Sequence, residues 1–195
     1  MTLPAPLQDA ALDAFRAELA KVARGRVYAE LARITAAHGF FWTREFDNKF
    51  DPRRPGVDNL SLALRLERDR GAGWTVLERL AGEVRMQKLD SRPGIVCAPG
   101  RPEFDGIALD RLMDTTRTDP PDWAYTREPD VAVGAAPRTD AVALEILGLQ
   151  FVRVLDRDGD WPRVATPGGA VGSVAPDALR TLDAAMLCYG RDLTG

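Results

Sequence analysis

Histidine, lysine and cysteine are all scarce in this chain: its 195 residues hold one histidine, two cysteines and, among 26 basic residues, only Lys21, Lys49 and Lys88. The single His38 stands in no ligand spacing with Cys97 or Cys188, so a zinc site is excluded and no metal or cofactor is expected. Long apolar runs are also missing, and none approaches the roughly 20 residues needed to cross a bilayer as a helix. The opening Met1-Thr2-Leu3-Pro4-Ala5-Pro6-Leu7 lacks a basic region followed by an apolar one, so it is no secretory leader. Two placements follow: a cytoplasmic protein, or a periplasmic or otherwise exported one whose leader preceded Met1. Charge of one sign is lacking too. Residues 1–129 carry 20 Lys+Arg against 20 Asp+Glu and residues 130–195 carry 6 against 9, which accounts for the net charge of −3. Neither part has the basic field that a phosphate backbone demands, so nucleic acid is not an expected partner.

What is present is ordinary globular composition, with 45% hydrophobic and 28% charged residues, and a change of grammar near residue 130. Leu12, Phe15, Leu19 and Val22 recur on one stripe, predicting a helix from about Leu7 to Arg24 that ends or kinks at Gly25. Val27, Leu31 and Ile34 continue a second helical pattern toward Gly39. Residues 38–50 concentrate Phe40, Phe41, Trp42, Phe46 and Phe50, five of the fourteen aromatics, and read as core of the first part. Leu60, Leu62, Leu64 and Leu66 alternate like a strand. The Leu/Ala/Arg/Glu content and the capping residues Asp58 and Asn59 favour a helix there instead. Trp74, Leu77, Leu80 and Ala81 predict another helix, Gly94 to Ala98 a short buried strand, and Ile107, Leu109, Leu112 and Met113 a last helix beginning near Asp105. Prolines 120, 121 and 129 mark a boundary.

From Asp130 onward the chain reads as short β-runs between turns: Val131–Val133, Ala141–Ile146, Gln150–Leu155, Trp161–Thr166 and Val171–Val174. Asp158-Gly159 and Gly168-Gly169 are hairpin signals. Five short strands in about 53 residues predict a small barrel.

The order of these parts resembles the bacterial SH3-like family: Val131 to Pro137, Phe151-Val152-Arg153-Val154, Trp161-Pro162-Arg163-Val164, Gly168-Gly169, Gly172-Ser173-Val174 and Leu179-Arg180-Thr181-Leu182. The resemblance covers about a quarter of the chain, and Ser173 departs from it where an aromatic is common. It implies an α+β chain with three parts. These are a mostly helical N-terminal part of unknown function at 1–125, a five-stranded SH3-like barrel at 130–183 packed against it, and a C-terminal extension at 184–195. Relatives of this kind look exported and associate with cell walls, which implies a disulfide between Cys97 and Cys188, two buried free thiols being the alternative. It also implies a groove in which Thr139-Asp140 faces Asp156 to Asp160, with Trp161 as anchor and Asp140, Asp158 and Asp160 as an acidic rim for a cationic or amine-bearing peptide.

Catalytic readings are weaker on the residues. A Cys97–His38 pair would need a thiolate beside its base, but His38 precedes the cysteine and Cys97 lies in the apolar run Ile95-Val96-Cys97-Ala98, where thiols are inert packing. Glu45 and Asp47 offer the two carboxylates that glycoside hydrolysis needs, without any sign that they converge. Asp156, Asp158 and Asp160 fail the calcium-loop pattern because Gly159 is misplaced and no closing Glu follows. The expectation is therefore a non-catalytic protein that binds a peptide or protein, such as a cell-wall peptide, at the bacterial envelope. The alternative is a cell-wall hydrolase with a catalytic N-terminal part and an SH3-like targeting module.

Overall fold

A computed structural model describes residues 1–37, 51–66 and 71–191. The aromatic segment with His38, Glu45 and Asp47 lies outside them. In chain order the elements are α1 (Ala10–Gly25), α2 (Tyr28–Ile34), α3 (Gly56–Leu64), α4 (Ala72–Ala81), β1 (Gln87–Lys88), β2 (Ile95–Ala98) and α5 (Gly106–Thr116). A single 3-10 turn follows (Pro120–Asp122), then β3 (Trp123–Thr126), β4 (Val131–Gly134), β5 (Ala143–Leu147), β6 (Phe151–Asp158), β7 (Trp161–Ala165), β8 (Val171–Ser173), β9 (Leu179–Thr181) and β10 (Leu187–Gly190). The class is α+β.

These elements form two compact units, and the division does not follow the boundary expected near residue 125. One unit is helical and comprises residues 5–100 together with 186 onward; the other comprises residues 1–4 and 101–185. The expected C-terminal extension is therefore a strand of the helical unit. Likewise α5 belongs to the sheet unit.

In the helical unit, α1 starts at Asp9, whose carboxylate accepts from the amides of Ala11 and Leu12 at 3.1 Å, satisfying donors that have no partner inside the helix. It ends at Arg26 in the left-handed region, φ 54°. Its buried stripe is Arg16, Leu19, Val22 and Ala23; the expected Phe15 is instead partly exposed, edge-on to Tyr189 of β10 with ring centroids 6.1 Å apart. α3 is a helix as its composition requires, but its capping differs from expectation. Pro55 occupies the N-cap, and Asn59 lies one turn inside, almost fully buried. There its amide donates to the carbonyls of Asp51 and Arg54 at 2.9 and 3.3 Å and accepts from the Asp51 amide at 3.2 Å, fastening the preceding turn. α4 runs close to the end of α3. A Cβ on Gly73 would lie 2.3 Å from the Leu64 carbonyl oxygen, so only glycine fits. Leu31, Leu60, Trp74, Leu77 and Met86 fill the core.

The small sheet of this unit has the order β1-β2-β10, all antiparallel. Cys188 stands directly opposite Cys97 in the β2–β10 register, and the two form a disulfide. The pairing implied by the resemblance is present.

In the sheet unit, Asp105 caps α5 by accepting from the Ala108 amide at 3.0 Å. Seven strands then make one antiparallel sheet in the order β5-β4-β8-β7-β6-β3-β9. The order is open: among the described residues no pairing joins β5 to β9, and a closed barrel is not seen. Two of the seven strands lie outside the five runs expected between residues 131 and 174. One is β9, already implied by the family pattern; the other, β3, lies before the assumed boundary. Trp123-Ala124-Tyr125-Thr126 is buried at every position and so lacks the alternation that marks a half-exposed strand. The core face carries Ala124, Val133, Leu147, Val152, Val164 and Val174. On β8 the position between these valines must be glycine, because a Cβ on Gly172 would come within 2.5 Å of the Gly134 carbonyl oxygen on β4. Thr126 is buried on β3, donates to the Gly148 carbonyl at 2.8 Å and accepts from the Gln150 amide at 3.1 Å, fixing the β5–β6 turn.

Candidate functional site

The β6–β7 hairpin carries three of the four residues expected to bind ligand. Its register pairs Asp158 with Trp161 across the two-residue turn Gly159-Asp160, and Gly159 adopts φ 58°, which suits glycine in such a turn. On β7, Pro162 and Val164 are buried while Arg163 is exposed. Alternation therefore places Trp161 with Arg163 on the face opposite the valine core, where Trp161 is half-buried. Trp161 is thus not a core residue of the sheet.

Around that indole the charges are partly neutralised. Arg163 Nη1 donates to Asp156 Oδ2 at 3.2 Å from the neighbouring strand. Asp158 and Asp160, both exposed, form no such ion pair among the described residues, and they leave the turn end acidic. The surface can present an aromatic body with an N–H donor beside two carboxylates. That chemistry suits an ammonium or guanidinium group on an apolar stem.

Asp140 does not join them. Gly134 of β4 and Arg163 of β7 both stand opposite Ser173 of β8, so β4 and β7 run in the same direction. The loop that follows β4, with Thr139 and Asp140, consequently lies toward the end of β7 at Ala165. Trp161 and the Asp158–Asp160 turn lie at its beginning. The sheet register thus sets the β4–β5 loop and the β6–β7 turn toward opposite ends of β7, apart from the facing arrangement that the resemblance implied. Asp140 is exposed and pairs locally with Arg138, Nε to Oδ1 at 3.4 Å. Beside that loop sits a different polar contact, from the Thr166 hydroxyl to Glu145 Oε2.

Aromatic contacts cover part of the second face of the sheet near β3 and β6, while Leu144, Ile146, Leu155 and Val171 of the same sheet are exposed. Trp123 is buried and its indole donates to Thr118 Oγ1 at 2.8 Å, while Phe151 meets Phe104 and Tyr125 edge-on at 5.0 and 6.2 Å between centroids. The β6–β7 hairpin adjoins these aromatics through β6, which pairs with β3.

The helical unit holds a buried polar cluster that the periodicity of α1 did not reveal. Arg16 takes a place on the buried stripe and donates from Nε to the Ala81 carbonyl at 3.0 Å, at the C-terminal end of α4 where a positive charge is favoured. Glu83 and Tyr189 are buried beside it. Burial pushes the Tyr189 phenol up to about 12, and the Arg16 guanidinium beside it pulls the other way. No hydrogen bond of ordinary geometry reaches the Tyr189 hydroxyl among the described residues. The signal that could have revealed Arg16 is its position three residues before Leu19 and six before Val22.

Cys97 is disulfide-bonded and carries no thiolate, and His38 lies outside the described residues. Among the described residues no group of three or more His, Cys, Asp and Glu side chains is arranged to hold a metal ion. Nor is any helix among them long and apolar enough to cross a membrane. No family model matches the chain, and no curated protein or solved structure does.

Proposed function

We propose that the protein is a non-catalytic recognition protein of the bacterial envelope that binds a peptide or protein bearing cationic groups through the β6–β7 hairpin. The observation that carries this reading is Trp161, half-buried on the face of the sheet away from the valine core and set beside the exposed carboxylates of Asp158 and Asp160. An aromatic of that size is usually well buried, and one left half open on a strand is a natural contact for a ligand.

The residues from Val131 to Leu182 form an SH3-like module in this reading. Its support is the family-like order of short strands, with β4 returning to lie beside β8 and β6, β7 and β8 forming a meander. An envelope setting is supported by the Cys97–Cys188 disulfide, since such bonds persist in oxidising compartments.

Titration with a short lysine-bearing, amine-terminated peptide, followed by tryptophan fluorescence, tests the proposal. Asp158→Asn/Asp160→Asn is expected to weaken binding by about three- to thirtyfold, the range for one or two exposed charge contacts worth up to ~1 kcal/mol each. Asp140→Asn serves as the control and leaves affinity unchanged. Equal effects at both places, or none at either, would remove the hairpin from recognition.

A further inference from the structure

The helical unit is discontinuous in sequence: residues 5–100 are completed by 186 onward, with residues 101–185 of the sheet unit spliced between them. Its last strand, β10, lies at the edge of the three-stranded sheet and pairs with β2 alone. Tyr189 of that strand enters the helical core, with Leu187 packed against it, and Arg191 pairs with Asp9 at 2.9 Å just beyond the strand. The disulfide joins the two chain crossings almost at the splice, Cys97 three residues before Gly100 and Cys188 two after Met186. Cys97 is fully buried, whereas Cys188 is partly exposed on the edge strand.

We infer that β10 is a redox-held latch: the disulfide keeps the final strand on β2, and reduction by a dithiol frees it. A thiolate of the dithiol attacks Sγ of Cys188, the accessible sulfur, forming a mixed disulfide while the S–S bond breaks. Sγ of Cys97 leaves as a thiolate and takes up a proton. The second thiol of the reductant then closes on its own sulfur and releases Cys188, so two electrons and two protons pass from dithiol to cystine. After that step the strand is held by a four-residue pairing, one buried ring and one exposed ion pair. Opening it uncovers the edge of β2 and the part of the helical core that Tyr189 occupied, while the valine core of the sheet unit contains none of these residues. The released edge is an unpaired strand, a ready template for another chain.

Amide hydrogen exchange of the full-length protein tests the latch, comparing the oxidised form with the same protein reduced by dithiothreitol and with Cys97→Ala/Cys188→Ala. The expected result is exchange at least tenfold faster in segments 95–98 and 187–191 on reduction, with segments 131–134, 151–158 and 161–165 unchanged. The double variant reproduces that pattern without reductant; if it does not fold, the reduced wild-type protein decides. Unchanged exchange in β2 and β10 overturns the inference, as does an equal acceleration across the seven-stranded sheet, which is global loosening. Two alkylatable thiols in protein kept from reductants throughout would also overturn it.

Discussion

Replacing Tyr189 by Phe separates packing from titration in the helical unit. The ring is buried and edge-on to Phe15, and Phe keeps that shape. Its hydroxyl gains no hydrogen bond of ordinary geometry among the described residues, so removing it near pH 7 is expected to leave stability within about 1 kcal/mol or raise it. The alkaline range is where the proteins diverge. Burial raises the phenol from 10.0 to about 12 in the folded chain. The neutral form is thus favoured by folding. Its contribution is fully present below pH 10 and is lost as pH rises through 12. At pH 11 the unfolded phenol is about tenfold more deprotonated by the ratio of binding polynomials, so the wild-type protein should lose about 1.4 kcal/mol more than Tyr189→Phe. Urea unfolding followed by circular dichroism at pH 8 and pH 11 measures this. Parallel losses in the two proteins would refute the buried-phenol argument, whatever the other groups titrating in that range contribute.

Three further outcomes follow from packing and covalent structure. Gly172→Ala should destabilise by about 1–3 kcal/mol, because the new methyl meets the Gly134 carbonyl on the adjacent strand, and thermal melting compared with Gly148→Ala, where nothing lies within 4 Å, checks it. Asn59→Ala removes three hydrogen bonds at a buried site and should cost about 2–4 kcal/mol in urea unfolding, with Asn59→Asp failing to restore the loss, since a carboxylate cannot donate to the carbonyls of Asp51 and Arg54. Cys97→Ala/Cys188→Ala opens a loop with a sequence separation of 91, and denaturant unfolding should show a loss of up to roughly 4–5 kcal/mol in the chain-entropy model.

The helices were legible because apolar periodicity and caps agree over most of them: Leu19 and Val22 mark the buried stripe of α1, and Asp105 caps α5 where its sequence places it. Composition also resolved the leucines near residue 62 correctly as helix over the period-two alternation. Failures came where tertiary structure overrides local pattern. β3 is buried on both faces and sits among prolines, so neither alternation nor punctuation announces it. Arg16 breaks the apolar stripe it belongs to because its partner, the Ala81 carbonyl, is 65 residues away in the chain. The splice of the two units is likewise invisible to local reading, since β10 finds its partner across the entire sheet unit. At the candidate site the hairpin turn was legible from Asp158-Gly159, and Trp161 from its place after that turn. The separation of Asp140 from it was not, because it depends on which strands flank β8.

The central claim is that the hairpin face around Trp161 recognises a ligand, and amide and indole shifts of the full chain during titration with a lysine-bearing peptide test it most directly. Saturable shifts are expected, centred on the Trp161 indole N–H and on Asp158 to Asp160 and reaching Arg163. They are weakened as salt is raised, abolished in Trp161→Ala, and absent from the loop holding Arg138 and Asp140. Saturable shifts centred on another surface while the Trp161 indole stays fixed, or no shifts with any lysine-bearing peptide, would contradict it.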